Sequence, residues 1–80
     1  MIKIYQVLFF THTGAIKFHR QMKKLNIDCE LMPVPRSLSS NCGVSACVHY
    51  HAQLATLVDE QVEKIYRKEN DHYRLLYESK

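Results

Sequence analysis

The residue best placed for chemistry in this chain is Cys42. It stands in the segment Pro33-Val34-Pro35-Arg36-Ser37-Leu38-Ser39-Ser40-Asn41-Cys42-Gly43, after three small polar residues and before a glycine. Gly43 is expected to adopt backbone geometry closed to other residues and to let a ligand come close. Successive backbone N–H groups in such a turn can form an anion-binding nest. Those groups, with Arg36 nearby, would favour thiolate over thiol at Cys42. Thiolate is the form that attacks a sulfur or selenium donor. The alternative is a turn that simply contains a cysteine.

A second constellation is Cys47-x-His49-x-His51. Residues two apart share one face of a strand, and thiolate with imidazole suits zinc or copper. Cys42 would be a fourth ligand if its loop folded back. The usual spacings of structural zinc sites are absent, however. The competing reading is a polar open sheet face or a dimer surface. Cys47 is also a candidate to resolve an oxidised or persulfidated Cys42 by forming a disulfide. Cys29 falls within a strand pattern, where a free cysteine behaves as a small hydrophobe. His12 and His19 belong to the first helix or its border, and His72 to a charged tail. No Ser–His–Asp set can be assembled, and no glycine-rich phosphate loop is present.

These residues need elements to hold them. Ile2 to Phe10 reads as a strand apolar on both faces, hence central and covered on both sides. Thr11 or Thr13 can cap a helix whose stripe is Ala15, Phe18, Met22 and Leu25, with Asn26 as its stop. Asp28 to Met32 is a second strand, ended by Pro33, and Ser37 to Gly43 is a polar loop. Val44 to Tyr50 alternates as a third strand, placing Ser45, Cys47 and His49 together. A short helix is expected from Ala52 to Asp59. Val62 to Lys68 reads as a charged edge strand, and Asp71 to Lys80 as an extra strand or turn. The order is that of an α+β, ferredoxin-like βαββαβ sandwich. A single domain over 1–80 is expected, with a core of about 2–68 and a C-terminal extension at 69–80. Helices would cover one sheet face. The tail or a second copy of the chain would partly cover the other, so a homodimer is one expectation.

Eighty residues with 46% hydrophobic and 24% charged content are ordinary for one globular domain. That excludes a disordered tail, and no apolar run approaches the length of a bilayer span. The first apolar stretch is broken by Lys3 and Gln6 and has no small-residue cleavage site, so a cytoplasmic address is expected. A net charge of +3 from scattered lysines and arginines, without Trp, does not indicate nucleic acid. Three cysteines, without a CxxC pair, do not form a disulfide framework. The size suits a carrier, binding module or subunit better than a complete enzyme, and no cofactor is called for.

The run Pro33-Val34-Pro35-Arg36, then Leu38-Ser39-Ser40, then Cys42-Gly43 closely resembles the signature of the selenium/sulfur carrier-like family of small bacterial proteins. The likeness covers Tyr5 to Tyr66 in layout and is sharp from Pro33 to Gly43. It implies that Cys42 holds sulfur or selenium as a persulfide or selenopersulfide. Arg36, Ser39, Ser40 and Gly43 would contact the adduct, Arg36 by stabilising its charge, while Pro33 and Pro35 shape the loop. A donor such as a cysteine desulfurase would load Cys42 and an acceptor enzyme would unload it, with no metal or cofactor. Such transfer needs an exposed cysteine of low pKa. Cys47, His49 and His51 depart from the family pattern and keep a metal-linked or redox variant open. A binding module without covalent chemistry is the main alternative to a carrier.

Overall fold

The computed structural model describes residues 1–38, 40 and 42–79. Its elements are β1 (Lys3–Phe9), α1 (His12–Lys24), β2 (Asp28–Pro33), β3 (Val44–Tyr50), a single 3-10 turn (Leu54–Leu57), β4 (Val62–Glu69) and β5 (His72–Glu78). The five strands form one antiparallel sheet in the order β2-β3-β1-β4-β5. The chain is therefore α+β, with one helix against one sheet.

β1 is central, as its two apolar faces require. Tyr5, Val7 and Phe9 point into the core shared with Ala15, Phe18 and Met22 of α1, and the Phe9 and Phe18 rings meet at 5.2 Å between centroids. On β3 the core residues are Ala46 and Val48. The pairs Leu8↔Ser45, Gln6↔Cys47 and Ile4↔His49 then place the other residues of both strands on the face away from the helix. Thr11 caps α1, its Oγ1 accepting from the Gly14 N–H at 3.0 Å. Asn26 ends the helical segment in the left-handed region at φ 59°, which asparagine tolerates.

Three expectations need correction. The helix expected from Ala52 to Asp59 is only the 3-10 turn Leu54–Leu57. Leu54 alone is fully buried there, and Gln53 offers no side-chain cap. The segment is pinned instead by the buried Tyr5, whose hydroxyl donates to the Ala52 carbonyl at 2.7 Å. The βαββαβ sandwich thus lacks its second helix. β4 is not an edge strand, since β5 pairs with it after a two-residue turn in which Asn70 takes φ 54°. Its charged residues fall partly on the solvent-facing side, where Lys64 meets Glu78 at 3.8 Å. Finally, the C-terminal segment extends the sheet rather than lying over it.

The end of the sheet that holds the Pro33–Gly43 segment is nevertheless closed on both faces. Leu8, Gln6 and Ser45 face away from α1 and are fully or nearly fully buried. Ser40 reaches the Phe9 carbonyl on β1 and the Glu63 carboxylate on β4. Among the described residues no helix is long and apolar enough to cross a membrane.

Candidate functional site

The site is built from the base of the loop upward. Pro33, the last residue of β2, pairs with Val44, the first of β3. β2 lies at the sheet edge, where a proline without an N–H is tolerated. Beneath this pair, the Ser45 hydroxyl points at the carbonyls of Met32 (3.3 Å) and Pro33 (3.2 Å). Ser45 Oγ in turn accepts from Gln6 Nε2 at 2.6 Å. One buried hydroxyl therefore ties β1, β3 and the end of β2 together. Such a group is costly to leave unpaired. Above the base, the Leu38 N–H donates to the Pro35 carbonyl at 3.0 Å and closes a turn that leaves Arg36 exposed.

Cys42 sits under the far side of the loop. Its backbone N–H donates to Ser40 Oγ at 3.3 Å. The Ser40 hydroxyl faces two acceptors, the Glu63 carboxylate at 2.9 Å and the Phe9 carbonyl at 3.1 Å. Its one proton serves one of them at a time. Glu63 lies opposite a register shift between Leu8 and Phe9, which pair with Lys64 and Val62. Such a bulge re-aims a side chain at the rim of a sheet, and here it brings a carboxylate to Ser40. The sequence pattern did not single out Glu63. The bulge that aims it arises from strand pairing, which no local pattern encodes.

Two expectations about this loop are overturned. Cys42 is not exposed: only 6% of its surface is accessible. Gly43 does not occupy the left-handed region, and an added Cβ would meet nothing within 4 Å. Its lack of a side chain answers no steric demand of the chain itself. Arg36, which is exposed, and Ser40, which is half-buried, both precede the cysteine in sequence, and Ser40 Oγ accepts from its backbone N–H. Ser39 falls outside the described residues. Pro33 stands at the loop base and Pro35 at its first turn.

The other thiols are differently placed. Cys29 packs against the core from β2. Burial pushes its thiol from the ordinary 9.0 up to about 12, helped by the neighbouring Cys47 and Asp28. Cys47 lies on the face away from α1, half-buried. Burial raises its pKa too, and Lys68 pulls it the other way. All three cysteines are free. Both strand cysteines are thus held as thiols near neutral pH, where thiolate is the nucleophile.

Cys47, His49 and His51 do not converge. His49 Nδ1 lies 3.7 Å from Asp28 across the β2–β3 pair, while His51 has left the strand and tilts against the Tyr50 ring at 4.8 Å. Among the described residues no group of three His, Cys, Asp or Glu side chains is arranged to hold a metal ion. The metal-ligand reading of this trio is therefore not supported. His49 and His51 line a groove with Ile2, Leu25 and Leu57, at the opposite end of the strands from Cys42. A second, mostly apolar groove of about 360 Å³ borders the Cys42 loop, between His12 and Ile16 of α1 and Leu31, Met32, Pro33, Gly43 and Val44.

Residues 5–78 match the model of one protein family, described as putative Se/S carrier protein-like. No curated protein and no solved structure matches the chain.

Proposed function

The chain belongs to this Se/S carrier-like family, and we propose that it carries one sulfur or selenium atom on Cys42. Family membership over nearly the whole chain is the observation that carries the reading. The placement of Cys42 supports it. Cys42 is the cysteine in the loop between β2 and β3, whereas Cys29 and Cys47 lie in strands and are biased toward the unreactive thiol. The same reading takes β1-α1-β2, with β3 inserted between the two strands, as half of a ferredoxin-like sheet. The second half would have shrunk its helix to the Leu54–Leu57 turn.

In the proposed step, the Cys42 thiolate attacks the terminal atom of a persulfide on a donor protein. A bond forms between Cys42 Sγ and that atom, the donor's S–S bond breaks, and the donor leaves as a thiolate. The proton on the transferred sulfur travels with it. No net oxidation occurs and no metal is needed. Delivery to an acceptor is the same exchange in reverse. Because Cys42 is shielded at rest, the loop must open first, by release of the Ser40 contacts or displacement by the donor. In the open form, Arg36 and the Cys42 and Gly43 amides would meet the anionic adduct, with Ser39 and Ser40 beside them. A cysteine desulfurase is the class of donor that fits, and the exchange takes place inside the cytoplasm.

The shielding of Cys42 also favours a second reading, a protein- or ligand-binding module in which the loop is a contact surface. The two separate cleanly. The protein is incubated with a cysteine desulfurase and free cysteine, and its intact mass is measured before and after reduction. A reductant-sensitive gain of one sulfur atom on the wild type, absent in Cys42→Ser, is expected. Equal loading of Cys42→Ser, or no loading of either protein, would overturn the carrier reading.

A further inference from the structure

The outer face of α1 is used by nothing described so far. Within His12–Lys24 there is no acidic residue, and Lys17, Arg20, Lys23 and Lys24 are all exposed. At about 100° per residue, Arg20 lies at the centre of this face, with Lys24 and Lys17 to one side and Ile16 and Lys23 to the other, on the side of the groove. Ile16 is 45% exposed, although the helix has an apolar stripe of its own buried against the sheet. None of the ion pairs among the described residues involves these cations. Ile16 also forms a wall of the apolar groove that runs past Leu31 and Met32 to Gly43. One residue thus joins a purely cationic helix face to an apolar slot that ends beside Cys42.

We propose that this surface docks an acidic protein partner. Carboxylates of the partner would lie over Lys17, Arg20 and Lys24, and an apolar side chain would enter the groove between Ile16 and Leu31. The charge of the face selects the partner's chemistry, and the slot fixes its register beside the loop. A nucleic acid fits less well, because the face presents no aromatic side chain for stacking and the whole chain carries only +3. A lipid surface fits less well too, because among the described residues the face offers only two exposed large apolar side chains, Ile16 and, at its C-terminal end, Leu25. That this partner is the sulfur donor or acceptor rests on the carrier reading. The docking chemistry does not.

The test uses the full chain, isotopically labelled, titrated with an amphipathic helical peptide that carries leucine on one face and glutamate elsewhere. Saturable amide shifts are expected at Ile16, Lys17, Arg20, Gly43 and Val44. Affinity should fall about tenfold in the triple variant Lys17→Glu/Arg20→Glu/Lys24→Glu, fall in Ile16→Ser, and weaken with added salt. The variants' own spectra show that they remain folded. Absence of saturable shifts, equal binding of a glutamine analogue of the peptide, or shifts confined to other surfaces would overturn the proposal. So would tighter binding at this face to an oligouridylate or to phosphatidylserine vesicles. Cys42→Ser should bind the peptide as the wild type does, so failure of sulfur loading and failure of docking are read separately.

Discussion

At the scale of single residues, the chemistry proposed for Cys42 depends on what keeps it covered. Its amide is held by Ser40, and Ser40 is held by Glu63 and the Phe9 carbonyl. A hydrogen bond of this kind contributes about 1 kcal/mol, or about fivefold in a local opening equilibrium. Ser40→Ala should therefore raise the alkylation rate of Cys42 about fivefold, with Glu63→Ala close behind. Peptide mapping after a timed iodoacetamide pulse checks this, with Cys29 as the internal control. An unchanged Cys42 rate in both variants would show that Ser40 does not restrain the loop. Pro33 to Gly43 was legible in the sequence as the candidate site because its composition is unusual. Its closed state was not, because closure depends on a carboxylate twenty-three residues away in sequence.

At the scale of elements, the two glycines reverse the roles that their settings suggest. Gly43, beside the cysteine, has open space around it and an ordinary φ. Gly14, in the first turn of α1, has none: an added Cβ would stand 2.7 Å from Gln61 Oε1 and 2.8 Å from Gln61 Cβ. The Oε1 can swing away, but the Cβ is fixed to the backbone of the turn before β4. Overpacking costs about 1–3 kcal/mol, more than the gain of up to about 1 kcal/mol from alanine's helix propensity. Gly14→Ala should thus lower the urea midpoint, while Gly43→Ala should leave it unchanged or raise it slightly. A slower sulfur loading in a fully stable Gly43→Ala would place the need for glycine in the approach of the donor. A Gly14→Ala midpoint at or above wild type would show that the β4 turn yields freely.

At the scale of the whole molecule, burial of cysteine links stability to alkaline pH. Cys29 has a folded pKa of about 12 against an ordinary 9.0. Between those values the unfolded chain gives up its proton and the folded chain keeps it. The contribution of Cys29 to stability is therefore fully present below pH 9.0 and is lost as pH rises toward about 12, with Cys47 adding in the same direction. Denaturant midpoints at successive alkaline pH values should show this decline, and Cys29→Ala should flatten it once its own loss of packing is subtracted. An unchanged slope in Cys29→Ala would assign the decline to other groups.

The sequence by itself determined the strands around the site, the helix with its cap at Thr11 or Thr13, the α+β class and the candidate cysteine. Each follows from local physics: apolar period, a capping hydroxyl, prolines that forbid helix, and a thiol set among small polar residues. The face shared by Ser45, Cys47 and His49 followed from alternation alone. Tertiary structure decided the rest. It placed β4 inside the sheet, because the tail found a partner strand there rather than an open face. It reduced the second helix to one turn, because that segment had only Leu54 to bury deeply. It shielded Cys42 and brought Glu63 to Ser40, because strand pairing and a bulge set contacts between residues far apart in the chain. Local patterns cannot specify such contacts, since their energy depends on which strands become neighbours.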